Sequence, residues 1–366
     1  MIPARFAQQE LTRTADLLLS AHRIVVLTHM SPDGDAMGSS LGITHFLRTL
    51  PTAPTVTIVV PNAFPDFLAW MPDARNIVIY EQHNQQVETL LKEADLIVCT
   101  DFNEPYRIGA MGELLTRTLD EQHTPCILID HHLNPADFAT VTYSYPESPS
   151  ASELVYRLIE QLRQLGDYPT LNQPLTLSAA TCLYTGMMTD TGNFSFNSNH
   201  PDMYRIVGEL VALGVDKDVV YDRVFNAYTA DRMRLVGYCL NNKMQIFPEQ
   251  HASFIALGRK ELYRFNFRAG DAEGIVNMPL QIKDVYYSCF MREDKVQPAE
   301  QHLAGGSKTK IKISMRSQGD RPVNTFCHDI FNGGGHKNAA GGEYYGPLQD
   351  AMLLFMQHYK TYFRAD

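Results

Sequence analysis

Residues 23–40 read RIVVLTHMSPDGDAMGSS, an apolar, largely β-branched run that breaks into a polar turn and resumes as small residues. Such a run suits a strand buried on both faces, as in a parallel sheet. The turn holds Pro32 and Gly34, and the residues beyond it predict a helix over 38–50. Strand, polar loop and helix together make half of a βαβ unit. Working outward, similar runs recur at 55–60 (TVTIVV), 76–80 (NIVIY), 95–100 (DLIVCT) and 125–129 (PCILI). Helices are expected over 85–92, 151–165 and 175–188. The expected fold class is α/β, with a parallel-sheet N-terminal domain over 1–197. After the turn-prone NSNHP at 197–201, stretches 202–213 and 219–228 predict a helical linker over 198–230. From 231 to 366 a helix is followed by strands near 244–247, 252–257, 284–291 and 310–316, a smaller mixed α/β domain.

A chain of 366 residues is long enough for two sizeable cores, and 45% hydrophobic with 20% charged residues is an ordinary globular balance. The net charge of −10 argues against a protein that coats long duplex nucleic acid through a basic surface. It leaves room for a small anion held in a local pocket. No run approaches the roughly 18 apolar residues of a membrane span, and residues 1–20 carry no signal-peptide core. The six cysteines are scattered without a CxxC pair. The expectation is a cytoplasmic protein that engages no membrane.

Four acidic or histidine clusters follow apolar segments, where α/β sheets bind their ligands. The first supplies His29, Asp33 and Asp35; in an extended loop the two carboxylates point the same way. Gly38, Ser39 and Ser40 are expected to open the next helix and offer N–H groups to an anion. Asp101 directly follows DLIVCT. Asp130, His131 and His132 follow PCILI, and adjacent histidines point to different sides, so one suits a metal and the other a substrate. Asp190 lies in the TDTG that ends an apolar helix, with Gly192 expected in the left-handed conformation. Carboxylates and imidazoles without thiolates suit Mn²⁺, and Mg²⁺ or Fe²⁺ less well. A bridging carboxylate can hold two such ions about 3.5–4 Å apart.

The set HMSPDGDAMGSS, Asp101, DHH and TDTG resembles the DHH phosphoesterase family, and NGGGHKNAAGG (332–342) resembles the glycine-rich motif of its associated C-terminal domain. Within the family the chain is most similar to stand-alone bacterial oligoribonucleases that also dephosphorylate 3′-phosphoadenosine 5′-phosphate (nanoRNases). The resemblance implies two divalent metals, Mn²⁺ foremost. His29, Asp33 and Asp101 would hold one; Asp35, Asp101, His131 and Asp190 would hold the other. By the same resemblance His132 contacts the scissile phosphate and Asp130 orients a ligand. Arg316 and Ser314 of SMRS, with Gly334, Gly335 and His336, would bind substrate, and the active site would lie in the cleft between domains. Lys308, Lys310, Lys312 and Arg316 share one strand face. The glycines and His336 are expected to cradle phosphate at the start of a helix near Lys337. Two positions depart from the family pattern: Asn332, where a further glycine is usual, and Ser195, where many relatives carry arginine. The implied substrates are short oligoribonucleotides, dinucleotides or a nucleotide phosphomonoester, turned over by what is commonly a homodimer. A diesterase for cyclic or linear signalling dinucleotides shares the core, and a non-catalytic nucleotide-binding protein would show a lost metal ligand.

Overall fold

Strands β1 (Arg23–Leu27), β2 (Thr55–Val60), β3 (Val78–Ile79), β4 (Leu96–Thr100), β5 (Cys126–Asp130) and β6 (Val141–Ser144) form one parallel sheet, ordered β3-β2-β1-β4-β5-β6. The structure, a computed structural model, describes residues 6–268, 270–296, 301 and 303–363. Ile24, Val26, Val98, Ile127 and Ile129 point into one core, and Val25, Leu27, Ile97, Cys99 and Leu128 into the opposite one. Each such buried side chain contributes about 1.5–3 kcal/mol. The first core is closed by helices α1 (Gln8–Ser20), α2 (Gly34–Leu47), α5 (Ala151–Arg163) and α6 (Leu177–Asp190), the second by α3 (Tyr80–Glu93) and α4 (Met111–Gln122). Helices α7 (Pro201–Ala212) and α8 (Lys217–Phe225) add Met203, Ile206, Leu210, Val220 and Val224 to the first core. The strand order reverses between β1 and β4, so the loops after these two strands diverge and leave a crevice at their carboxyl ends.

Two compact units result, Met1–Ala227 and Tyr228–Asp366. The second holds β7 (Gln245–Phe247), β8 (Ala252–Leu257), β9 (Tyr287–Lys295), β10 (Thr309–Ser317), β11 (Gly334–His336) and β12 (Ala339–Tyr345), ordered β11-β12-β10-β9-β8-β7. Helices α11 (Asn324–Phe331) and α12 (Leu348–Tyr362) cover Ile311, Ile313 and Met315 on one face. On the other face Ile255, Leu257 and Phe290 pack against Leu235 of α9 (Ala230–Tyr238) and Leu262 of α10 (Arg259–Arg264). No helix among the described residues is long and apolar enough to cross a membrane.

Four sequence-based expectations need correction. Helix α2 starts at Gly34, not 38, because Asp33 caps it by accepting from the Asp35 and Ala36 N–H groups. Asp33 and Asp35 therefore sit at a helix start, not in an extended loop. Ser39 and Ser40 lie inside the helix, with hydroxyls bonded back to Asp35 and Ala36 carbonyls, and offer nothing to an anion. Finally, no helix begins near Lys337: the glycine-rich segment is a β11–β12 hairpin turning at Lys337 and Asn338. Asn338 fixes that turn by donating to Ser317 Oγ and the Gly319 carbonyl, 2.9 Å each. Strand β6 was not anticipated, its four residues VTYS being too short a pattern to stand out.

Helices α2 and α6 approach along small residues. A Cβ on Gly38 would lie 2.7 Å from the Cys182 carbonyl oxygen and 2.8 Å from Gly186 Cα, main-chain atoms that cannot rotate away. A Cβ on Gly186 would lie 2.8 Å from Asp35 Oδ1. Gly38→Ala should therefore lower stability by about 1–3 kcal/mol through overpacking, read as a reduced urea midpoint at unchanged m value. A midpoint equal to that of the unmodified protein would show that the helices are free to separate.

Candidate metal centre

Each residue of the expected first-unit set is delivered by the end of an element. His29 follows β1, Asp33 caps α2, Asp35 lies in its first turn, and Asp101 follows β4. Asp130 ends β5, His131 and His132 follow it, and Asp190 ends α6. Asp101 is 2% exposed and has φ +63°, a left-handed conformation that aspartate tolerates better than most residues. That turn sets its carboxylate between two imidazoles: Oδ2 is 3.4 Å from His29 Nε2 and Oδ1 is 3.3 Å from His131 Nε2. Asp33 Oδ1 lies 3.8 Å from His29 Nε2. Asp35 Oδ2 and Asp190 Oδ2 lie 3.8 and 3.5 Å from His131 Nε2.

The second ring nitrogen of each histidine explains its aim. His29 Nδ1 donates to the Met30 carbonyl at 3.0 Å, and His131 Nδ1 to the Ser148 carbonyl at 3.1 Å, so both Nε2 atoms face the carboxylates. The His132 ring lies at 69° to that of His131, with Nδ1 3.8 Å from Asp101 Oδ1. Its Nδ1 donates to buried Asp130 at 2.7 Å, and Asp130 also accepts from the His132 backbone N–H. The carboxylate of Asp35 is seated on the start of α5, accepting from the N–H groups of Ala151 at 2.6 Å and Ser152 at 2.9 Å. Ser150 caps that helix by accepting from the Glu153 N–H. This support for Asp35 and His131 went unnoticed in the sequence, although SASE at 150–153 has the spacing of a helix cap.

The charges collected here fit cations. His29, Asp33 and Asp101 offer ligand atoms within 4.8 Å of one another, as do Asp35, His131 and Asp190. Asp101 Oδ1 is buried and lacks a well-formed hydrogen bond, an oxygen whose desolvation a cation would offset. Burial opposes charge on His29, but the hydrogen bond to Asp101 and the Asp33 and Asp101 charges outweigh it, raising its pKa to about 9. His131 is raised for the same reasons, burial being overcome by Asp101, Asp190 and Asp35. Burial raises Asp35 well above the usual carboxylate range, and Asp101 and Asp190 add to it. Asp101 is held low despite burial by the facing imidazoles of His131 and His29. His132 differs: burial lowers it, outweighing Asp130, and the Arg107 charge contributes. Without metal, protons on His29 and His131 thus separate the carboxylates.

In the second unit the register places the sequence-selected residues in two adjacent rows. Ser314, Gly341 and Gly334 are successive cross-strand neighbours, as are Arg316, Ala339 and His336. Gly335 has φ +133° and brings β11 close against β12. Arg316 Nη1 donates to the Met315 carbonyl at 2.9 Å. Lys310 and Lys312 are ion-paired with Glu343 (3.2 Å) and Asp294 (3.8 Å), which makes them part of the sheet's own charge balance. Asn332 takes the left-handed position that ends α11 (φ +47°), a conformation open to asparagine as to glycine, so this departure leaves the turn intact. Ser195 is exposed, past the end of α6.

A group whose folded pKa is raised stabilises fully below its unfolded value and loses that contribution as pH climbs through the folded value. For His29 the window runs from 6.5 to about 9, and the raised His131 and Asp35 act in the same direction. The chelator-treated protein should therefore melt at progressively lower temperature across that window. Protein loaded with Mn²⁺ should not, because metal replaces the protons and binds better as they leave. Parallel melting curves with and without metal at every pH would count against this charge arrangement.

Residues 23–187 match the DHH family, N-terminal domain. An exopolyphosphatase-related protein from Bacteroides fragilis, of known crystal structure, is 42% identical, with 97% of each chain covered and a TM-score of 0.84. A bifunctional oligoribonuclease and PAP phosphatase, NrnA, of Bacillus subtilis is 25% identical over 92% of this chain and 93% of its own. The protein of that name from Thermus thermophilus is 28% identical over 87% and 83%. These findings support a hydrolase acting on phosphate esters. With the match running across strands β1, β4 and β5, which deliver most of the clustered carboxylates and imidazoles, and with a relative 42% identical along nearly its whole length, this chain belongs to the DHH family.

Proposed function

We propose that this protein is a Mn²⁺-dependent phosphoesterase that hydrolyses short oligoribonucleotides or dinucleotides to mononucleotides and removes the 3′-phosphate of 3′-phosphoadenosine 5′-phosphate. The observation that carries the reading is Asp101, whose two oxygens address two separate ligand groups, through His29 and His131. The relatives named oligoribonuclease and PAP phosphatase support the substrate class. His29, Asp33 and Asp101 would hold one ion, and Asp35, Asp101, His131 and Asp190 the other. Bound there, two divalent ions would lower the pKa of the attacking water and offset charge on the phosphoryl oxygens. Asp130 keeps the Nδ1 proton of His132 in place, which leaves Nε2 to exchange a proton with the phosphoester. Ser314, Gly334, Gly335, Arg316 and His336 would bind the rest of the substrate, the guanidinium taking a phosphate in two parallel bonds.

The test is a Mn²⁺ panel against a chelated control, with RNAs of two to five residues, linear and cyclic diadenylate and diguanylate, and 3′-phosphoadenosine 5′-phosphate. Turnover should require metal and favour the linear RNAs and the phosphomonoester. A preference for a cyclic dinucleotide would instead identify a signalling diesterase, and no hydrolysis of any member despite bound metal would leave a binding protein. Asp101→Ala and His131→Ala should fold and lose turnover, while Asp130→Asn should lose about 10- to 100-fold through misorientation of His132. Full metal-dependent activity in Asp101→Ala would sink the reading.

A further inference from the structure

Arg107 lies in a short 3₁₀ turn, Pro105–Ile108, that follows the Asp101 loop. The Met30 N–H donates to its carbonyl oxygen at 2.8 Å. That bond ties the loop after β4 to the loop after β1, across the crevice where the strand order reverses. The residue is thereby pinned beside His29. Its side chain is half-buried and has no hydrogen-bond or ion-pair partner among the described residues. Several arginines of this unit are ion-paired, Arg157 with Glu153 at 2.7 Å, Arg48 with Asp73 at 2.6 Å and Arg205 with Asp202 at 2.8 Å. The carboxylates of the centre are committed elsewhere, Asp33 to the start of α2, Asp101 to two imidazoles and Asp130 to His132. The Arg107 charge nevertheless reaches both imidazoles, opposing the rise at His29 and adding to the lowering at His132.

A half-buried cation without an anion is costly unless something else supplies the charge. Here its main chain is bonded beside His29, and its charge is felt at His132, the imidazole held by Asp130. We infer that Arg107 is a phosphate-binding residue of this centre, its guanidinium donating to a non-bridging oxygen of the phosphoryl group on the His132 side. This rests on the function proposed above. The role differs from that of Arg316, which belongs to the second unit. A guanidinium so placed binds the oxyanion in two directions and follows its growing charge during the reaction, which an ammonium group does less well.

The experiment compares Arg107→Ala, Arg107→Lys and the exposed neighbour Tyr106→Ala with the unmodified protein. Metal content and melting temperature are measured for each. Binding of inorganic phosphate to the metal-loaded proteins is followed by calorimetry, a readout independent of turnover. Arg107→Ala should keep its metal and its melting temperature, bind phosphate at least about tenfold more weakly, and lose about 100-fold in kcat/KM on a dinucleotide. Arg107→Lys should recover only part of this, added guanidinium should restore activity to the alanine variant, and Tyr106→Ala should match the unmodified protein. Phosphate affinity unchanged in Arg107→Ala, no phosphate binding by the unmodified protein, or a loss explained by missing metal would each overturn the inference. If the unmodified protein binds phosphate through Arg107 yet hydrolyses no ester, the proposed function falls and the phosphate site stands.

Discussion

The fold is arranged around one difficulty: the Asp101 carboxylate is removed from water and must still carry its charge. Its neighbours share the problem, because Asp35 and Asp130 are also buried and Asp33 and Asp190 stand close by. Such a set repels itself in a medium of low polarity unless positive charge or directed N–H groups compensate. The protein uses both. Two imidazoles face Asp101, the start of α5 faces Asp35, and the start of α2 faces Asp33. What remains uncompensated is acidic, and divalent cations suit it better than protons do.

Topology explains why these groups meet. The ends of β1, β4 and β5 are neighbours in the sheet although their residues lie far apart in the chain. Parallel strands deliver all their carboxyl ends to the same edge, so β1, β4 and β5 each bring acidic or imidazole groups to one rim. The helices contribute from above. Asp190 comes down at the end of α6, and the start of α5 both holds Asp35 and follows Ser148, whose carbonyl aims His131. The first-unit centre is thus a property of the whole sheet and its covering helices.

Much of this was legible beforehand, and the gaps have physical causes. Runs such as TVTIVV and PCILI announce buried strands because nothing else makes β-branched density profitable. The clustering of carboxylates and imidazoles was legible because polar residues directly after such runs have one crevice to face. The start of α2 was missed because the DGD reads as a turn, while Asp33 caps a helix that is buried on almost every side and shows no amphipathic stripe. The 334–345 hairpin was missed for a related reason. Its turn is flanked by Gly334, Gly335, Ala339, Ala340, Gly341 and Gly342, small residues that report neither strand nor helix, and pairing with β10 makes them extended. Arg107 carried no local signal, since its meaning lies in the charges it fails to pair with.

The seam between α2 and α6 has a mechanical consequence. Where main chain rests on main chain, as at Gly38 against Cys182 and Gly186, separation is set by incompressible atoms and not by rotamers. Asp35 and Asp190 ride on opposite sides of that seam. Their spacing behaves as a fixed gauge: thermal motion of side chains does not close it, and an ion of the wrong radius cannot draw the two helices together around itself.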